Sequence, residues 1–123
     1  MSMYQSQSDN QYKDAIETKR ALLNTYLGKI FGAERAAQLL TFFFIDVTQK
    51  IDQLKKHLYD RNMVEIRKIA HALKGSGKSY GFEYISQTGR DLSICAKRED
   101  YSGLSDLIRN LERYARKQKE ILG

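Results

Sequence analysis

Between residues 33 and 59 the apolar side chains recur at intervals of three and four: Ala36, Leu40, Phe43, Phe44, Val47, Ile51, Leu54 and Leu58. Side chains so spaced form one stripe along an α-helix. A stripe of this length is buried only against other long helices, as in the seam of a bundle. Asp46, Gln49, Lys50, Gln53 and Lys56 fall on the other side, where a bundle helix meets water. The 123 residues include no proline, so the commonest helix breaker is missing and long uninterrupted helices are permitted. The length suits a single domain with its own core.

The same period predicts helices on either side. A first helix runs from about Asp14 to Phe31, carried by Ile16, Leu23, Tyr26, Leu27 and Ile30, with Gly28 and Gly32 at its fraying end. The second is the stripe just described, Ala33 to Tyr59; Phe42 falls off it and packs on the first helix or faces solvent. A third opens at Asn62 as N-cap with Glu65 three residues on, a variant of the capping box. Its inner stripe is Ile66, Ile69, Ala70, Leu73, Gly77 and Tyr80, and it ends near Gly81. A fourth spans Glu83 to Lys97, with Ile85, Gly89, Leu92, Cys95 and Ala96 inward. A fifth begins at Ser102 as N-cap and turns Leu104, Leu107, Ile108, Leu111, Tyr114, Ala115, Ile121 and Leu122 inward. Links of a few residues between the last four force neighbours to run antiparallel. The expected architecture is all-α: an up-down-up-down antiparallel four-helix bundle with an additional N-terminal helix as a cap. Residues 1–12, rich in Ser, Gln and Asn, read as a disordered lead, and 13–123 as the bundle domain.

The single cysteine, Cys95, has no intrachain partner for a disulfide, which suits a reducing compartment; among Leu92, Ile94 and Ala96 it reads as a small buried hydrophobe. The polar first residues lack the apolar stretch of a signal peptide. The longest apolar run, Leu39 to Ile45, is far short of the ~20 residues that span a bilayer. A cytoplasmic protein without membrane contact is the expectation. The initiating Met and the single domain favour a free-standing protein over the end of a larger one. Net charge is +6, and residues 61–98 hold eight Lys or Arg against three acids. A face so biased seeks anionic partners.

The stretch from Ile69 to Phe82, IAHALKGSGKSYGF, carries the chemistry. With Ile66, Ile69, Ala70, Leu73 and Tyr80 inward, a second stripe holds Arg67, His71, Lys74, Gly75 and Lys78, since residues three and four apart share a face. His71 therefore stands on a solvent-facing stripe flanked by cations. Gly75 and Gly77 interrupt a helix whose apolar pattern continues beyond them, and each costs about 1 kcal/mol relative to Ala. Either the helix ends early, or glycine beside the His provides clearance for another protein's active site. Imidazole, with an ordinary pKa of about 6.5, is nucleophilic near neutral pH. It attacks phosphorus to give a phosphoramidate that is readily passed on, and Lys74 and Lys78 would hold phosphoryl oxygens through charge-assisted hydrogen bonds.

His71-Ala72-Leu73-Lys74-Gly75-Ser76, with Ala70 before it and Gly81 ten residues after the His, closely resembles the signature of the histidine-containing phosphotransfer (HPt) domain, a His followed at three and four by Lys and Gly. Leu92 and the fourth-helix pattern agree, and the resemblance covers about residues 33–118. It implies that His71 is the phosphoryl acceptor, Lys74 its charge partner, Gly75 the clearance glycine and Lys78 an auxiliary cation. Many family members place a Glu or Gln from the fourth helix beside the imidazole. Here the aligned position is Ser93, a departure that bears on how the ring is oriented; Lys97, one turn later, and Arg67 are further auxiliary candidates. The resemblance implies a phosphocarrier with no ATP site, cofactor or metal of its own, and a response-regulator receiver domain or hybrid histidine kinase as partner. That receiver would supply Mg²⁺ and the aspartate. An apolar docking patch is also implied, which the pattern does not locate. A monomer is expected.

Other readings are weaker. Gly77-Lys78-Ser79 imitates the end of a P-loop, but its first glycine would fall on Ala72 and no strand precedes it. The basic residues are spread over several helices without the aromatic interleaving of a nucleic-acid surface, so no nucleic-acid partner is expected. A non-catalytic helical interaction bundle, or a nucleic-acid-binding one, is the alternative. His57, between Lys56 and Leu58 near a helix end, lacks the neighbours of His71 and reads as structural or solvent-exposed.

Overall fold

In the computed structural model, which describes residues 26–122, the described chain is helical throughout apart from short links and contains no strand. Four helices follow one another: α1 Tyr26–Tyr59, α2 Met63–Tyr80, α3 Glu83–Lys97 and α4 Tyr101–Leu122. Each packs on the next, and α4 closes against α1. α1 is broken at Gly32, whose φ of 81° and ψ of 166° are non-helical, a conformation natural only to a residue without Cβ. This is the point at which the apolar pattern separates a first helix from a second. The lead expected over 1–12, and the first helix over 14–25, lie outside the described residues; only its last turns, 26–31, are seen as helix.

The core is the predicted set of stripes. Leu40, Phe44, Val47 and Leu54 of α1, Ile66, Ala70 and Leu73 of α2, Ile85 and Leu92 of α3, and Leu104 and Leu111 of α4 have no exposed surface. Each large apolar side chain so buried is worth about 1.5–3 kcal/mol. Leu58, Ile69 and Tyr80 are half-buried, and Phe42 is exposed. The pattern places Ile121 inward, but it is 45% exposed: one residue from the end of α4, it has little left to pack against.

α2 starts and stops by identifiable chemistry. Asn62 Oδ1 accepts the Glu65 amide at 3.2 Å. At the other end Gly81 adopts a left-handed conformation, φ 85°, and the Gly81 and Phe82 amides donate to the Lys78 and Gly77 carbonyls. The helix thus runs unbroken through Gly75 and Gly77 and does not end early. Phe82, fully buried, follows the turn. Phe43 stacks on Tyr80 at 4.4 Å and Phe44 meets Phe82 edge-on at 5.0 Å, which fastens the α2–α3 turn to α1.

The start of α4 differs from expectation. Its cap is Asp100, not Ser102: Asp100 Oδ1 accepts the Gly103 amide at 2.9 Å, and its carbonyl accepts that of Leu104. Both residue types cap well. The tight link out of α3, with Glu99 at φ 52°, brings the carboxylate to the helix end first, where the helix dipole also favours it.

Candidate functional site

α2 and α3 touch backbone to backbone. A Cβ on Gly77 would lie 2.7 Å from the Ser86 nitrogen, and one on Gly89 would lie 2.6 Å from the Ala70 oxygen and 2.7 Å from the Lys74 nitrogen. Carbon contacts that short with backbone atoms are not tolerated, so both positions demand glycine. Ser86, buried between the helices, donates its hydroxyl to the Lys74 carbonyl at 3.0 Å. Gly77 opposes residues 85–86 while Gly89 opposes 70–74, so the two helices run antiparallel. Residues 70–77 are thereby held at both ends against α3.

The outward face of that stretch is His71, Lys74, Gly75 and Lys78, all exposed. A shallow groove between α2 and α3 is lined by Val64, Arg67, Lys68, His71 and Ser93. The structure thus brings Arg67, His71 and Ser93 to one place. Lys74, Gly75 and Lys78 continue along α2 beyond the groove, and Lys97, exposed on α3 one turn past Ser93, does not line it. A Cβ on Gly75 would meet nothing within 4 Å. The two glycines of the motif therefore have different causes: Gly77 is required by helix packing, while nothing in the fold requires Gly75. Lys68 is tied to Glu65 at 3.3 Å. Among the described residues, the side chains of Arg67, Lys74, Lys78 and Lys97 have no acidic partner, and there is no cluster of side chains suited to a metal ion. An exposed imidazole on a rigid helix, beside unneutralised cations and open space, can receive a small anionic group from outside.

The family model of the Hpt domain matches residues 38–117. The chain belongs to the Hpt domain family. Searches of curated proteins and of solved structures find no match. Hpt domains are histidine phosphotransfer modules of two-component signalling, phosphocarriers rather than catalysts, and their partners are response regulators or kinases. No described helix of this Hpt domain is long and apolar enough to cross a membrane.

Three residues at or behind this candidate site escape the sequence pattern. Val64, a large apolar side chain 62% exposed, stands seven residues before His71; that spacing is two helical turns and would have placed it on the same stripe. Lys68 enters the groove from the neighbouring position. Ser86 is three residues before Gly89, and the two small residues on one face were the available sign that α3 approaches α2 closely. Of the residues outside the site, His57 is half-buried in the last turn of α1, its carbonyl accepting the Asn62 amide. Cys95 is 2% exposed.

Proposed function

We propose that this Hpt domain carries its phosphoryl group on His71, accepting it from and donating it to receiver-domain aspartates, including those of hybrid histidine kinases. One observation carries the reading: of the two histidines, His71 alone stands exposed, on a helix face where Arg67, Lys74 and Lys78 have no acidic partner among the described residues. In the forward step an imidazole nitrogen attacks the phosphorus of an aspartyl phosphate. A P–N bond forms, the P–O bond breaks, and the aspartate carboxylate leaves with the electron pair; the reverse step returns the group. The receiver supplies Mg²⁺, and the carrier needs no cofactor of its own.

In this reading Lys74 and Arg67 flank the imidazole from either side along α2 and attract the phosphoryl oxygens, with Lys78 and Lys97 as outer cations that speed encounter with an acidic pocket. Gly75 leaves the approach to the ring open. Ser93 shares the groove with the imidazole. Val64, with Ile94 at 44% exposure on α3, supplies apolar surface near the groove for docking. The domain acts as a monomer, and ATP with Mg²⁺ alone leaves it unmodified.

The test is phosphoryl transfer from a phosphorylated receiver domain to the wild type and to His71→Gln. The expected product is acid-labile, alkali-stable and absent from His71→Gln. Because His71 is exposed, that variant folds normally. Label that persists in it would move the acceptor elsewhere, with His57 the next candidate.

A further inference from the structure

Arg90 lies on α3 between the two points at which that helix meets the site. Its chain neighbour Gly89 abuts the Lys74 backbone, and Ser93, one turn on, lines the His71 groove. Residues three apart share a helix face, so the Arg90 side chain starts on the side of α3 that carries Ser93, within one turn of the groove, a distance a side chain of that length spans. Its present bonding is incomplete. Nη2 is 3.5 Å from Glu83 Oε1, and Glu83 is 79% exposed, so the pair is of the weak, solvent-screened kind. The Nε–H is buried without an acceptor, which is costly for a donor on a charged group. At this level α3 meets Ala70 and Lys74 of α2, and the Lys74 carbonyl is already taken by the Ser86 hydroxyl. Of α3, only the uncharged Ser93 lines the groove.

We propose that Arg90 is a phosphoryl-binding residue of this Hpt domain. When His71 is phosphorylated, the guanidinium leaves its exposed contact with Glu83 and takes the phosphoryl oxygens through its planar fork, which matches that geometry. Glu83 is then a resting partner that holds the cation near the site while the histidine is unmodified. The inference rests on His71 being the phosphoryl acceptor.

The experiment uses the full chain phosphorylated chemically with phosphoramidate and followed by ³¹P NMR. A guanidinium on the phosphoryl oxygens favours the dianion, so the second ionisation of the phosphohistidine lies low in the wild type. In Arg90→Gln it should rise by about one pH unit; in Arg90→Lys the rise should be smaller, and in Glu83→Gln, where the competing carboxylate is gone, the ionisation should fall. In the wild type, which needs no variant to fold, the Arg90 Nε–H resonance should move on phosphorylation. Titrations of Arg90→Gln and wild type that superimpose, or an Nε–H resonance that stays put, would overturn the role of Arg90. No phosphohistidine signal in the wild type, or one that survives in His71→Gln, would instead overturn the assignment of His71 and the inference with it.

Discussion

Gly75→Ala should make this domain more stable and less able to exchange its phosphoryl group. Gly75 is an exposed position in the interior of α2, and a Cβ there meets nothing within 4 Å. The substitution therefore brings no clash and no burial. What remains is the helix-propensity difference, about 1 kcal/mol in favour of Ala, much of it from the entropy lost by the unfolded chain. For a domain of about this size that corresponds to a rise in Tm of roughly 4–8 °C. The methyl group stands one turn from His71, on the face from which a receiver must approach. Displacement of reacting groups by about 1 Å is enough to slow a reaction up to about a hundredfold, and a severalfold slower transfer is expected. Thermal and urea unfolding measure the first effect, and single-turnover transfer from a phosphorylated receiver the second. A destabilised variant would refute the helical account of this position. A stabilised variant that transfers at the wild-type rate would refute the clearance account, with misfolding excluded by the same data.

Gly89→Ala should act in the opposite sense. The new Cβ is driven against backbone atoms of Ala70 and Lys74, and overpacking of about 1–3 kcal/mol exceeds the gain of about 1 kcal/mol in helix propensity; urea unfolding should show a net loss. Asn62→Ala removes the cap bond to Glu65 and should cost about 1 kcal/mol, read as a fall in the urea midpoint with an unchanged slope.

Helix positions and the core were legible because each stripe is long and regular. Arg67, His71, Lys74, Gly75 and Lys78 emerge exposed on α2, opposite Ile66, Ala70 and Leu73, as their spacing requires. The pattern put Gly77 on the inner stripe and Gly75 on the outer one but gave no reason for glycine at Gly77; only the position of α3 shows that it is pressed against Ser86. Polar residues inside the core were equally hidden. Thr88 is 4% exposed, yet its hydroxyl bonds the Tyr84 carbonyl one turn back at 2.8 Å, so its helix satisfies it where a hydropathy reading expects water. The start of α4 was misplaced because Asp100 and Ser102 are both good caps and the choice falls to the link between helices. Val64 was missed because an exposed apolar residue breaks the rule on which the stripes were drawn.

The seam between α2 and α3 also bears on how the molecule assembles and opens. These helices are joined by only Gly81 and Phe82, so their contacts are local and close a short loop. α1 and α4, by contrast, meet through pairs such as Lys55 and Glu112, 57 residues apart, whose closure carries a larger entropic cost. Local contacts form early in small helical proteins, which makes the α2–α3 hairpin the expected nucleus and the docking of α4 on α1 the late event. The same order read backwards describes partial opening: α4 can separate first while the hairpin stays formed, with its amides the last to exchange with solvent. The helix bearing His71 thus belongs to the most persistent unit of the fold, and the ring keeps its bearings through fluctuations that loosen the rest of the bundle.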